Sequence, residues 1–294
     1  MNKKFIWIFV AAILIFVSIW IAGRILQQGP VPETSRQIRY SFTLRNTTDR
    51  LAENVSLWVY APLEKTSHQT CRAIETSHPY SFTKDCYGNQ VLYFPLENIA
   101  PFASEIITVK ADLGIPEKPV KADCPDGCAG FMQAEIFVES DHPDIKARAA
   151  ALKKPGRMET AGAIHKWVAG HIEYSGYIKR QRGALYALTN AKGDCTEYMD
   201  LFAALCRAAE VPCRRVGGYI CDKNTVLKPS GYHNWAEIYV NGKWCVADPQ
   251  NRVFMKKDSE YIAMHIIGHQ CENLMKNHGR FRVEAKGIKA KMNS

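Results

Sequence analysis

An uncharged apolar run at residues 5–23, FIWIFVAAILIFVSIWIAG, is the strongest single constraint on how this chain can fold. As a helix rising about 1.5 Å per residue, the run comes close to crossing a hydrocarbon core of about 30 Å. It is longer than an ordinary signal-peptide core, so an uncleaved anchor is favoured over cleavage after Gly23. Lys3 and Lys4 precede the run and should hold residues 1–4 in the cytoplasm. The remainder is therefore expected outside the cytoplasm, in the periplasm or at the cell surface.

The spacing of apolar residues in the exported part predicts an α+β fold. After a polar linker at residues 24–36, short β-rich runs predict a small antiparallel β-sandwich over residues 37–113. A proline-containing linker is expected at residues 114–136. Helical periodicity followed by three strands then predicts an α+β domain with an antiparallel sheet over residues 137–256. Residues 257–294 are expected to form a C-terminal extension.

The ten cysteines predict disulfides, because thiols tend to pair outside the cytoplasm. Spacing makes two local pairs plausible, Cys71 with Cys86 and Cys124 with Cys128. If Cys195 is kept for chemistry, an odd number of cysteines remains. Cys206 is the best candidate for an unpaired thiol, because it lies in an apolar helical stretch where cysteine serves as a small hydrophobic residue.

The stretch GDCTEY, residues 193–198, predicts a helix that begins at Cys195. Asp194 and Glu197 have the spacing of a capping box, which makes Asp194 the N-cap. The positive end of the helix dipole and the free backbone N–H groups then favour a thiolate at Cys195. On the cap alone, a nucleophile and a disulfide or buried thiol are about equally well supported.

A hairpin in the following strands brings a histidine and an aspartate together. The dipeptide Asn241-Gly242 between two β-rich runs predicts a two-residue turn. Counting back from the turn places Trp235 opposite Asp248 and makes His233 a diagonal neighbour of Asp248, roughly 7 Å away at the backbone. The carboxylate can orient the imidazole, so that His233 acts as general base and later as general acid. A lone strand histidine is more often structural, but this combination with a capped cysteine points to nucleophilic catalysis.

These segments resemble the core of the transglutaminase-like superfamily. The resemblance covers roughly residues 155–250 and is carried by GDCTEYMDLFAALCRAAEVPCRRVGGYI and HNWAEIYVNGKWCVADP. It implies a papain-like α+β domain with Cys195, His233 and Asp248 as a catalytic triad. The β region at residues 37–113 is similar to the N-terminal domain of many bacterial relatives.

The resemblance also implies a reaction on peptide or protein amides through a thioester on Cys195. The backbone N–H of Cys195 would help to hold the oxyanion, and Trp167, Tyr174 and Gln181 are all candidates for the second donor. Trp235 shares the face of His233 and is a candidate for shielding the site. Hydrolysis, as a cysteine peptidase or amidase, is slightly favoured over transamidation. No cofactor is expected, since the sequence has no obvious calcium loop.

A zinc site is the first rival interpretation. His265 and His269, with Cys271 and His278 nearby, could bind zinc if their segment is helical. No glutamate lies between the two histidines as in a zincin motif, so ordinary packing and a cystine are expected instead.

A non-catalytic exported binding or assembly module is the second rival, because fold alone does not establish function. The three chemically competent triad residues favour an enzyme over this alternative. The net charge of +9 would suit an anionic cell-envelope partner, but the basic residues are dispersed and a solvated surface is the preferred interpretation. Nucleic acid is not an expected partner.

Overall fold

The first strands form where apolar residues occupy alternate positions. The computed structural model describes residues 31–177, 180–268, 274–276 and 279–294. In the first strand Ile38, Tyr40, Phe42 and Leu44 are buried, whereas the residues between them are more exposed. The strands of this region are β1 (Glu33–Asn46), β2 (Ala52–Tyr60), β3 (Thr70–Thr76), β4 (Ser81–Lys84), β5 (Gln90–Ile99) and β6 (Ser104–Pro116).

The helices follow the turn segment Pro125–Phe131 and show the predicted helical burial. They are α1 (Pro143–Leu152), α2 (Arg157–His171), α3 (Ala184–Asn190) and α4 (Cys195–Ala208). Two short strands, β7 (Glu173–Tyr174) and β8 (Lys192–Gly193), pair in parallel between them. The side chains that recur at helical spacing along α2, at its end and along α4 are buried: Ala161, Ile164, Val168, Ile172, Tyr198, Leu201, Phe202 and Leu205.

A five-stranded antiparallel sheet packs against α4. The strands that follow the helices are β9 (Cys213–Ile220), β10 (Thr225–Val226), β11 (Tyr232–Val240), β12 (Lys243–Asp248), β13 (Val253–Phe254) and β14 (Tyr261–Ile267), with single turns at Pro229–Gly231 and Asp258–Glu260. Their order in the sheet is β13-β12-β11-β9-β14. The helices and this sheet share one apolar core, so the predicted α+β domain with an antiparallel sheet is present.

The sandwich contains strands from both ends of the described chain. After β14, the chain forms β15 (Phe281–Glu284) and β16 (Ile288–Met292). One sheet has the order β10-β1-β6-β3 with β16 also paired to β1, and the other has the order β15-β2-β5-β4. Residues 34–294 form one compact unit. The extension predicted at residues 257–294 therefore supplies one strand to the helix-bearing sheet and two to the sandwich.

The predicted membrane anchor at residues 5–23 and the cytoplasmic tip at residues 1–4 lie outside the described residues. Among the residues that the structure describes, no helix is long and apolar enough to cross a membrane.

The cysteines correct part of the disulfide prediction. Cys124 and Cys128 are bonded as predicted, but Cys71 is free and Cys86 is bonded to a different cysteine. The reason is that Cys71 lies in β3 of one sandwich sheet, whereas Cys86 lies in the turn between β4 and β5 of the other. Cys206 is free and buried, as predicted. It is joined by further free thiols within the described ranges, at Cys71, Cys195, Cys213, Cys221 and Cys245.

A buried ion-pair cluster centres on Glu237 of β11. The fully buried carboxylate accepts hydrogen bonds from Arg214 of β9 at 2.6 and 2.8 Å and from Trp235 Nε1 at 3.2 Å. His68 Nε2 lies 3.1 Å from the same carboxylate. Burial acts to raise the pKa of Glu237, but Arg214 and His68 outweigh it and hold the pKa well below its usual range. The cluster ties β9 and β11 to the loop that contains His68.

We expect Glu237→Gln to lower the free energy of unfolding by about 3 to 5 kcal/mol, because it leaves the Arg214 charge buried without its counter-ion. Urea denaturation followed by circular dichroism measures the change. Glu75→Gln is the matched control, since Glu75 pairs with Lys110 at an exposed site and should cost no more than about 1 kcal/mol. Equal effects of the two substitutions would contradict the structural role of the cluster.

Candidate active site

Cys195 is the first residue of α4, and a complete capping box holds it there. Asp194 Oδ1 accepts a hydrogen bond from Thr196 N at 2.8 Å, and Glu197 Oε2 accepts one from Asp194 N at 3.1 Å. This is the predicted cap. In the first turn of a helix the backbone N–H groups have no acceptor within the helix. The N–H of Cys195 is therefore available to a substrate oxygen.

Glu197 also fixes the loop that precedes the helix. Its other carboxylate oxygen, Oε1, accepts a hydrogen bond from Arg182 N at 3.0 Å. Glu197 is fully buried, and burial raises its pKa. One buried side chain thus joins the cap of Cys195 to the loop that carries Gln181.

His233 and Asp248 meet through the hairpin register that the sequence predicts. The strands β11 and β12 pair Val240 with Lys243 and, further from the turn, Ala236 with Ala247. This register places His233 Nε2 2.7 Å from Asp248 Oδ2. The Cys195 thiol lies close enough to the same imidazole to act on its pKa. The structure therefore brings the three predicted residues together at one site.

The carboxylate of Asp248 is buried, at 1% exposure, and saturated with donors. Besides His233, Oδ2 accepts from Asn251 Nδ2 at 2.7 Å and from the Tyr261 hydroxyl at 2.9 Å. Oδ1 accepts from the backbone N of Asn251 at 3.2 Å. Burial acts to raise the pKa of Asp248, but His233 and Asn251 outweigh it and lower the pKa. Asp248 therefore stays ionised beside the imidazole.

His233 is held in its positive form by these neighbours. Burial acts to lower the pKa of His233, but its hydrogen bond to Asp248 and the neighbouring Cys195 raise it to about 9. At neutral pH the side chain is thus an imidazolium, and it loses its proton only as the pH rises through about 9. A positive group beside a thiol favours the thiolate, which is the nucleophilic form.

Cys195 and His233 line a cavity of about 1190 Å³. Two of the predicted oxyanion candidates, Tyr174 and Gln181, also line it. Gln181 Nε2 donates to Asp200 Oδ2 at 2.7 Å, and Asp200 in turn accepts from Arg215 Nη1 at 3.0 Å. Burial raises the pKa of Asp200 to about 7 in spite of Arg215. The side chain of Gln181 is therefore held in place by Asp200, a fully buried acid on α4.

The other two predicted candidates do not lie on this cavity. Trp167 is in α2. Its ring is stacked on that of His171 with centroids 4.3 Å apart, and the guanidinium of Arg148 lies 4.7 Å from the Trp167 ring centroid. Trp167 faces the helical core and not the nucleophile, because its position on α2 points it toward α1. Trp235 is fully buried, with its ring 6.4 Å from that of His233. It supports the histidine from the core side.

Sequence reasoning missed three side chains that complete the site. Asn251 and Tyr261 both bond Asp248, and Asn234 Nδ2 donates to Thr196 Oγ1 at 3.0 Å. Asn251 lies three residues after Asp248, so the local spacing contained a signal for it. Tyr261 comes from β14, which reaches the site by pairing with β9, and no local pattern indicates this contact.

The helix that the zinc interpretation requires is not present at His265. His265 lies in strand β14 and not in a helix, and its ring is stacked on Tyr60 at 4.2 Å. No group of three or more potential metal ligands occurs among the described residues. His269, Cys271 and His278 lie outside those residues.

Comparison with known proteins places this site in a recognised domain. Residues 144–249 match the model of the transglutaminase-like superfamily. The chain is 31% identical over 107 residues to human kyphoscoliosis peptidase, and the mouse protein of that name matches equally well. The match covers 31% of this chain and spans only 15% of the length of the human and mouse relatives.

One solved structure shows a similar fold at low sequence identity, and a second aligns less closely. A candidate cysteine protease from Cytophaga hutchinsonii aligns with a TM-score of 0.62 and 14% identity, over 89% of this chain and 91% of that one. The periplasmic domain of TgpA from Pseudomonas aeruginosa aligns with a TM-score of 0.41 and 16% identity, over 75% and 91%. The first alignment extends well beyond residues 144–249, so it includes sandwich strands as well as the helices.

We expect Asp248→Asn to lower the pKa of His233 well below about 9. The substitution removes the carboxylate that raises this pKa, whereas burial continues to lower it. Proton NMR of the histidine ring, recorded across a pH titration, measures this value. His171→Gln helps to assign the signals, since His171 bonds the carbonyl of Leu188 away from the site. A His233 pKa that stays near 9 in the Asp248→Asn protein would contradict the assigned role of the carboxylate.

We expect Tyr261→Phe to lower the free energy of unfolding by about 1.5 to 3 kcal/mol, because it removes a buried hydrogen bond to a charged group. Tyr239→Phe is the matched control, since that hydroxyl donates to the neutral carbonyl of Ala122 and should cost about 1 kcal/mol. Urea denaturation of both proteins gives the comparison. A smaller loss for Tyr261→Phe than for Tyr239→Phe would count against the bond to Asp248.

Proposed function

Because residues 144–249 form a domain of the transglutaminase-like superfamily, we propose that this protein is a thiol-dependent acyl-transfer enzyme acting on peptide or protein amides. One observation carries the proposal. His233 bonds Asp248 and shares with Cys195 the lining of a cavity large enough for several residues of a peptide. A base oriented by a third group and in reach of a thiol is the arrangement that nucleophilic catalysis requires.

In the first half of the proposed reaction, Cys195 Sγ attacks the amide carbon and forms a tetrahedral intermediate. The backbone N–H of Cys195 donates to the oxyanion. The C–N bond then breaks, His233 gives its proton to the leaving nitrogen, and an amine departs. A thioester remains on Cys195. Asp248 keeps the imidazole in one orientation throughout and stabilises its positive form.

We propose Gln181 as the second oxyanion donor. Its Nε2 carries two hydrogens, and one of them is used by Asp200. The other remains for a substrate oxygen in the cavity that Gln181 lines together with Cys195. Tyr174 is the second candidate, because it also lines the cavity and its side chain is exposed.

In the second half of the proposed reaction, the thioester is released by water or by an amine. Neutral His233 removes a proton from the incoming group, which attacks the thioester carbon. The C–S bond then breaks, the acid or the new amide leaves, and the Cys195 thiolate is restored beside protonated His233. We propose hydrolysis as the main outcome, in agreement with the name of the peptidase that shares 31% identity with this domain. Transamidation uses the same thioester and is the alternative outcome.

A polypeptide substrate is supported by the rim of the cavity. Large apolar side chains are usually covered in a folded protein, yet Ile136, Tyr174 and Tyr177 are 61%, 56% and 83% exposed. All three line the cavity. Exposed apolar and aromatic residues grouped around a cleft are typical of a surface that binds another chain.

We also propose that the enzyme works outside the cytoplasm and is held to the membrane by residues 5–23. The support is the length of the uncharged run and the two lysines that precede it. The disulfide between Cys124 and Cys128 is consistent with an oxidising compartment. Fractionation of cells followed by protease treatment of intact spheroplasts tests this location.

We expect Cys195→Ala to abolish cleavage of a fluorogenic peptide library while the circular dichroism spectrum stays unchanged. Cys221→Ala is the matched control, since Cys221 is also a half-buried free thiol but does not line the cavity, and it should retain full activity. The same assay with a primary amine added separates hydrolysis from transamidation. Undiminished turnover by Cys195→Ala would rule out the proposed nucleophile, and the absence of any turnover by the unmodified protein would favour the non-catalytic binding module.

A further inference from the structure

The catalytic cavity has a second arm, which the proposed chemistry does not use. We call it the Arg280 arm and define it by four residues that line the cavity together with Cys195 and His233: Tyr60, Tyr232, His265 and Arg280. Tyr60 belongs to the sandwich, Tyr232 and His265 belong to the sheet behind the nucleophile, and Arg280 immediately precedes β15. The arm therefore lies where the two halves of the compact unit meet.

Arg280 carries a positive charge that none of its described neighbours compensates. Its guanidinium lies 5.3 Å from the centroid of the Tyr232 ring, and Nη1 donates to the carbonyl of Pro229 at 2.9 Å. It also lies near Tyr219 and acts to lower the pKa of that phenol, although burial raises the pKa to about 12. These partners are all neutral. Within the described ranges, Arg280 forms no ion pair with a carboxylate.

Two acids share the cavity, Asp85 and Asp194, and both already accept hydrogen bonds. Asp194 caps α4 by accepting from Thr196 N. Asp85 lines the same cavity, but its carboxylate accepts hydrogen bonds from Tyr87 N at 2.9 Å, Asn89 N at 3.0 Å and Asn89 Nδ2 at 2.8 Å. These bonds fold the turn between β4 and β5 around the side chain. The guanidinium therefore keeps donors that no carboxylate among the described residues accepts.

The remaining walls of the arm are neutral rings. His265 is stacked on Tyr60 with ring centroids 4.2 Å apart and an angle of 1°, and Tyr232 lies 6.4 Å away at 18°. His265 is only 5% exposed, and burial lowers its pKa to about 3, so the ring stays uncharged. Its Nδ1 has no hydrogen-bond partner among the described residues. A single cation thus lies among the neutral aromatic rings of the arm.

We propose that the Arg280 arm is a substrate subsite that binds a peptide carboxylate. The guanidinium has the planar fork that matches a carboxylate, and charge-assisted bonds of this kind are about twice as strong as neutral ones. The aromatic walls pack the aliphatic part of the same residue. The inference rests on the proposed function, because it takes the cavity to be a peptide-binding cleft, and it makes acidic peptides the preferred substrate class. The carboxylate can belong to a glutamate or aspartate side chain or to the C-terminus of a peptide.

Gly217 of β9 sets the depth of the arm. A Cβ atom added at this position would lie 2.3 Å from the Tyr232 hydroxyl oxygen and 2.5 Å from His265 Cε1. Both distances are far below van der Waals contact, so Gly217→Ala should displace both rings. The substitution alters the walls and leaves the Arg280 side chain itself intact.

The test is a binding experiment with the full chain carrying Cys195→Ala, so that no chemistry is needed. Fluorescent peptides are made in matched pairs that differ only in charge. In one series a single glutamate, or a glutamine in its place, is moved along the peptide, and in the other the C-terminus is a carboxylate or an amide. Fluorescence anisotropy gives the Kd of each peptide. The first series reports a side-chain carboxylate and the second a C-terminal one.

We expect the carboxylate member of at least one pair to bind about tenfold more tightly, as a well-formed charged hydrogen bond would give. Adding Arg280→Gln should remove this difference, and Arg280→Lys should retain part of it. Arg148→Gln is the matched control, since Arg148 also stacks on an aromatic ring but lies on α1 away from the cavity, and it should leave the difference unchanged. Gly217→Ala should weaken both members of each pair.

Three results would overturn the subsite: no peptide binds, no pair differs in Kd, or the difference survives Arg280→Gln. The paired peptides are also compared on the protein that retains Arg280. That comparison tests the subsite even if an Arg280 variant does not fold. Turnover of the unmodified protein is measured separately. Turnover that is lost with Cys195→Ala, combined with equal binding of both members of every pair, would refute the subsite and leave the proposed reaction intact.

Discussion

The buried carboxylate of Asp248 is the interaction on which the site depends. It lies at the end of β12 and receives His233 from β11, Tyr261 from β14 and Asn251 from the turn that follows it. These donors join three strands at one point, and they offset the cost of burying a charge at 1% exposure. Because hydrogen bonds fix the carboxylate, the carboxylate in turn orients the imidazole that lies beside the thiol of Cys195.

Behind this chain of hydrogen bonds, buried charges connect the nucleophile helix to the sheet. Asp200 of α4 binds Arg215 of β9 on one side and Gln181 on the other, and Glu197 holds both the helix cap and the loop at Arg182. Buried pairs of this kind add little net stability, but each leaves a costly charge if its partner moves. They therefore favour one relative position of helix, loop and sheet, which is what a preorganised oxyanion site requires.

Features encoded by neighbouring residues could be predicted from the sequence. The capping box at Asp194 and Glu197 and the turn at Asn241-Gly242 are local, and together they placed Cys195 on α4 and His233 beside Asp248. Features that depend on distant pairing could not be predicted. Tyr261 reaches Asp248 only because β14 pairs with β9, and Arg280 reaches the cavity from the residues next to a strand that completes the sandwich. The expected pair of Cys71 and Cys86 was wrong for the same reason, because neighbours in sequence were separated onto two sheets.

The most direct test of the central claim is the alkylation of the native protein by iodoacetamide, followed by peptide mapping, because only the thiolate reacts quickly. Cys195 should be modified much faster than Cys221 or Cys206 at about pH 6. Replacing the imidazole, in His233→Ala, should slow the modification of Cys195 by a large factor. Equal rates at Cys195 and Cys221, or a Cys195 rate unaffected by His233→Ala, would show that the imidazole does not activate the thiol and would contradict the account.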